Sequence, residues 1–384
     1  MLGRLLAGRY DAGMSSLADV EWESCILEPV PDPELSAYLR RELGGVPRSA
    51  AYLSACPWVV RSLASMSHYA HLDPQFSDLI GLVVSQDNSC RLCFAVQRLM
   101  LRAQGFPERR IRALEEDLFA AELDERERAA LDFARRFSRA QPRASARDLE
   151  ALRRVGWSEP AIREIAFSAA AMVYYNRLST LPAIPPQDAE ALPDRWWARL
   201  VFPLMAPLVR QRLRRNHRRS AQPALAAGAR EGPYAGLVAA FDGLPAAQAL
   251  RRLLDEAFAS PVLPRRSKAL VFAVVARGLA CPSSEAEAGR LLTAEGFAPA
   301  EQDEILSHLA SPRLDTTEAA LLPLARDTIR YRPAPIQRRS RALLEGLGVA
   351  RFVEFVGLSA LANAVCRLIA VTVPQPAEAS ASAR

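Results

Sequence analysis

GLVVSQDNSCRLCFAVQRLMLRAQGF, residues 81–106, lies without a gap over FAVVARGLACPSSEAEAGRLLTAEGF, residues 272–297, at a constant offset of 191. Val83/Val274, Val84/Val275, Cys90/Cys281, Ala95/Ala286, Leu101/Leu292, Ala103/Ala294, Gly105/Gly296 and Phe106/Phe297 are identical pairs. The same offset carries Leu123-Asp124 onto Leu314-Asp315, Ala134-Arg135 onto Ala325-Arg326 and Pro142 onto Pro333. One residue lost beyond that proline brings Gly156 onto Gly346 and Arg177-Leu178 onto Arg367-Leu368. A register kept over so many markers is the signature of an internal repeat, not of shared alanine-rich composition.

Within each copy the apolar residues recur at helical spacing. Leu79, Leu82, Val83 and Gln86 share a face, as do Leu131, Ala134 and Phe137, and Ile162, Ile165, Ala166 and Ala169. Alternating β-branched runs are absent and Ala, Leu, Arg and Glu dominate, so the expected class is all-α, two tandem helical bundles related by an approximate internal two-fold. Gly105 closes one helix, Pro107 opens the next, and Ser158 before Glu159-Pro160 marks another start. The expected boundaries are a first copy over 1–187, a Pro/Arg-rich connector over 188–232, a second copy over 233–373 and a disordered tail over 374–384.

The 384 residues are half hydrophobic and about a quarter charged, which excludes a disordered or collagen-like chain. Of the 49 basic residues only Lys268 is a lysine, and the formal charge of +6 is matched by six arginines between Arg210 and Arg219. The basic excess is therefore local, and no nucleic-acid partner is expected. Apolar residues ahead of such a cluster can lie in a membrane interface. Pro203 and Pro207, however, predict a broken helix here, so the segment reads as a connector without stable membrane insertion. The N-terminus lacks a signal-peptide apolar core, no stretch reaches about 18 uncharged apolar residues, and Cys25, Cys56, Cys90, Cys93, Cys281 and Cys366 are too scattered for a disulfide scaffold. The expected location is cytoplasmic.

Cys90-Arg-Leu-Cys93 follows Asn88-Ser89, either of which can cap a helix, so both sulfurs fall in a first turn. Unpaired N–H groups and the positive end of the helix stabilise a thiolate there, and two intervening residues bring the sulfurs to one side. A dithiol redox pair fits; so do half of a zinc site, although Cys281 and Cys366 cannot supply its second pair, and two buried structural cysteines. Asp78 stands twelve residues before Cys90, on a helix that can carry its carboxylate back toward the sulfurs. His68 and His71, at i and i+3, could face the same cleft or hold a metal; a solvated helix face explains them as well.

With Tyr174-Tyr175-Asn176-Arg177-Leu178 closing an apolar helix downstream, this set resembles the alkylhydroperoxidase D-like, carboxymuconolactone decarboxylase superfamily. Peroxidase members of that family show an acid, twelve residues, then C-x-x-C-x-x-x-H. The resemblance implies an all-helical, oligomeric protein in which Cys93 is the thiol attacked by a hydroperoxide, Cys90 the resolving thiol and Asp78 the proton-relay carboxylate. It implies a small hydroperoxide or other small-molecule substrate, an external dithiol reductant, and no metal or organic cofactor. Gln97 occupies the place of the family's relay histidine, and Asp78 that of its glutamate. In the second copy Cys281 keeps the first cysteine, while Ser284, Ala288 and Ala269 replace the second cysteine, the relay residue and the acid. No dithiol chemistry is expected there. A helical scaffold that has lost turnover, or a decarboxylase or isomerase acting on a small lactone, are the alternative functions.

Overall fold

Helix punctuation sets the architecture. Asp32, Asp73, Asp124 and Asp315 each accept a backbone N–H of the first turn they cap, and the capping boxes Asp124/Glu127 and Asp315/Glu318 recur at the offset of the repeat. The structure is a computed structural model and describes residues 17, 20–118, 121–140, 144–186, 196–220, 225, 232 and 234–373. The boundary expected at 187, Pro142 and the tail over 374–384 lie outside the described residues.

The first half contains α1 (Pro33–Leu43), α2 (Ser49–Leu53), α3 (Pro57–Ser65), α4 (Pro74–Asp87), α5 (Arg91–Ala103), α6 (Glu108–Glu116), α7 (Glu125–Ser138), α8 (Ala146–Arg154) and α9 (Glu159–Thr180). After α10 (Trp196–Ser220) come α11 (Ala235–Val238), α12 (Ala247–Ala259), α13 (Arg265–Gly278) and α14 (Pro282–Ala294). The chain continues through α15 (Pro299–His308), α16 (Thr316–Asp327), α17 (Pro333–Leu347) and α18 (Val349–Thr372). The protein is all-α, with no strand among the described residues. Helices α13 and α14 begin and end 191 residues after α4 and α5.

The contact scheme repeats too. Helix α4 packs on α5, α7 and α9, and α13 packs on α14, α16 and α18. Equivalent helices then meet at the seam between the halves, α9 against α18 and α3 against α12. Helix α18 is long and apolar enough to cross a membrane, but it is packed inside the molecule, with Glu354 and Arg367 on it both hydrogen-bonded.

Two buried carboxylates hold the approaches to α4 and α13. Glu164 on α9 accepts the N–H groups of Ala70, His71 and Leu72, at 2.7–3.0 Å. Glu354, at the matching position of α18, accepts from Leu263 and from Trp58 Nε1 (3.1 Å), and pairs with Lys268 Nζ at 3.3 Å. These loops carry backbone donors that no helix satisfies, and each carboxylate covers them. His68 and His71 belong to the first such loop and not to a helix face, because α3 ends at Ser65 and α4 starts at Pro74. His71 is exposed, and among the described residues no three metal-binding side chains gather.

The expectation that Pro203 and Pro207 break the connector is corrected: α10 runs through both. Both prolines are exposed, so the carbonyls they free can turn to water rather than stay buried and unpaired. Helix α10 packs on α4 and α5, where Ala206 is buried against Gly105: a Cβ there would stand 2.9 Å from that of Ala206.

Candidate functional site

The N-cap of α5 is Cys90 itself, not Asn88 or Ser89. Asn88 ends α4, and its side chain returns to the Val84 carbonyl, while Ser89 takes a left-handed turn at φ 53°. The reason is the tightness of the α4–α5 corner: only that turn lets the chain reverse before the new helix starts. Its consequence is chemical. The Cys90 sulfur takes the position of a capping oxygen and accepts the Cys93 N–H at 3.4 Å.

The two thiols are free, buried and hydrogen-bonded to each other. Burial alone would raise the Cys90 thiol. The Cys93 thiol and N–H, which donate to it, and the neighbouring Thr180 and Ser179 hydroxyls outweigh it, and Cys90 titrates below the ordinary thiol value. Cys93 is pushed well above that value by burial, by donating to Cys90 and by the charge of Cys90. Of the two thiols Cys90 therefore ionises the more readily and Cys93 holds its proton, its Sγ also 3.7 Å from Ser179 Oγ.

Access favours the other sulfur. A cleft of about 480 Å³ between the start of α4, the outer face of α5 and the middle of α9 is lined by Cys93 but not by Cys90. Asp78 and Gln97 line it as well, so three of the four residues singled out in the sequence share this wall. Met66, Met100, Met172 and Tyr175 make the remainder largely apolar, and Leu213 of α10 closes one side. Burial pushes the Asp78 carboxyl up to about 7, against a 2.5 Å hydrogen bond from Gln104 Nε2 and with the charge of Asp73 adding to the rise. Its hydrogen-bond partner is thus Gln104 and not Gln97. Gln97 Oε1 is buried with no partner, and its amide lies across α4 at Gly81, where a Cβ would be 2.7 Å from Gln97 Cδ and 2.8 Å from Met172 Cε.

Several neighbours of the thiols were not legible in the sequence. Ser179 and Thr180 end α9, and Tyr331 comes from the other half, following α16. The Tyr331 hydroxyl is buried without a well-formed hydrogen bond and faces Thr180, near enough to be raised, mainly by burial, to about 12 and to sense both thiols. Arg177 stacks over its ring at 5.4 Å.

The second copy departs from expectation in one respect. Cys281 holds the N-cap position of α14 without the side-chain cap bond that Cys90 makes, and its thiol donates to Ser284 Oγ at 3.2 Å. Ser284 also reaches Cys366 on α18, so the two distant cysteines share one hydroxyl. Burial and the neighbouring Cys281 push the Cys366 thiol far up. The places of the acid and the amide are taken by Ala269 and Ala288, both fully buried.

No family model, curated protein or solved structure matches the chain.

Proposed function

We propose that the protein is a thiol-dependent oxidoreductase that reduces a small hydroperoxide, or exchanges disulfides, through Cys93 and Cys90. The observation that carries this reading is a hydrogen-bonded thiol pair at a helix N-terminus with one sulfur facing an apolar cleft that also holds a carboxyl titrating near 7. Cys90, the more acidic of the two and so the first to ionise, takes as thiolate the proton of Cys93. The Cys93 thiolate attacks the terminal peroxide oxygen, the O–O bond breaks, and protonated Asp78 supplies a proton to the departing alkoxide, leaving a Cys93 sulfenic acid and an alcohol. The Cys90 thiol then displaces water from that sulfenic acid to form the Cys90–Cys93 disulfide. An external dithiol reduces it, becoming a disulfide in turn.

Thiol titration before and after one equivalent of hydroperoxide tests this. Two thiols are expected to disappear from the native protein, and Cys93→Ser is expected to abolish peroxide consumption. Unchanged consumption in Cys93→Ser would remove the dithiol from the mechanism and leave the helical scaffold as the better description.

A further inference from the structure

Helix α10 presents two opposite characters. Ala206 and Leu213 turn inward to α4, α5 and the cleft, while Val201, Leu204, Met205 and Leu208 face out, 41, 78, 45 and 59 % exposed. These four stand at i, i+3, i+4 and i+7, a contiguous stripe about 100° wide. Arg212 and Arg215 continue the same face over the next two turns, and both are exposed. Over its whole length the helix holds seven arginines and no acidic residue, a larger charge than the chain's net +6.

We infer that this face of α10 docks the protein onto an anionic lipid surface. An apolar stripe of this width on an otherwise soluble fold needs a cover, and the arginines that extend it fit phosphate headgroups rather than another apolar surface. The leucines enter the acyl boundary and the arginines stay at headgroup level, so the helix lies in the plane of the interface without spanning it. Docking stands independently of whether the thiols turn over peroxide.

Co-sedimentation of the full chain with vesicles of phosphatidylcholine alone, and of phosphatidylcholine with phosphatidylglycerol, tests the inference. Binding is expected only to the anionic vesicles and is expected to weaken with salt. It should fall roughly fivefold for each of Arg212→Gln and Arg215→Gln. Leu204→Asp/Leu208→Asp should abolish it while leaving the helical circular dichroism intact, because both side chains are exposed. Protein that stays in the supernatant with anionic vesicles, or binding untouched by Leu204→Asp/Leu208→Asp, overturns the proposal. So does a doubled mass in light scattering that this variant halves, which would make the stripe an interface between two copies of the chain.

Discussion

The α4–α5 corner and the α13–α14 corner share a length, a cysteine N-cap and a left-handed residue before it, Ser89 in one and Ala280 in the other. Their interiors differ through a handful of exchanges. Where the first has Gly81 and Gln97, the second has Phe272 and Ala288, both fully buried. A glycine on α4 makes room for a polar amide and a cleft; a phenylalanine on α13 fills the matching place and leaves no use for one. The backbone that positions a thiol is therefore kept in both copies, and what distinguishes a site from a core is side-chain volume.

Converting one corner into the other gives the largest expected effect. Gly81→Phe combined with Gln97→Ala copies the second lining into the first. It should bring both peroxide consumption and alkylation of Cys93 to background, with the helical signal retained. Persisting alkylation would show that Cys93 is reached by another route.

Asp78→Asn has no counterpart cost in the second half, where Ala269 stands, and isolates the acid. Turnover should drop by about 10²–10⁴ if the carboxyl donates its proton. The native rate should itself decline as pH rises through about 7, as the acid form is lost. Stability falls with rising pH as well. A carboxyl whose folded value is raised from 3.8 to about 7 favours the folded state at low pH, and that contribution is lost between those values as pH increases. Thermal melts of Asp78→Asn should match the native protein near pH 4 and exceed it near pH 8.

Ser284→Cys should have the smallest effect. It recreates a C-x-x-C pair at the second corner and is expected to raise the titratable thiol count by one without adding any peroxide turnover, because Cys281 and Ser284 are both fully buried. Added turnover would show that the capped thiol pair suffices without a cleft.

Much of this was legible beforehand because the signals are local or periodic. The offset of 191 placed α13 on α4 and α14 on α5 residue for residue, and the C-x-x-C spacing put Cys90 and Cys93 in one turn. What escaped the sequence depends on contacts across the fold. Nothing in the order of residues says that Gln104 would bind Asp78, that Tyr331 would approach Thr180, or that Ser284 would link Cys281 to Cys366. The prolines of α10 misled for a related reason: a helix whose proline face meets water tolerates breaks in its hydrogen bonding that a buried helix does not.

Arg177 has a consequence for how the chain comes apart. Its guanidinium is fully buried and donates across the seam to the carbonyls of Thr328 at 2.9 Å and Ile329 at 3.1 Å, the second of which Arg367 also engages. Pulling the halves apart would trade these hydrogen bonds for water and expose the apolar faces of α9 and α18 that now cover each other, so each half alone loses much of its core. The two halves are thus tied into one cooperative unit, and a single thermal transition is expected in calorimetry.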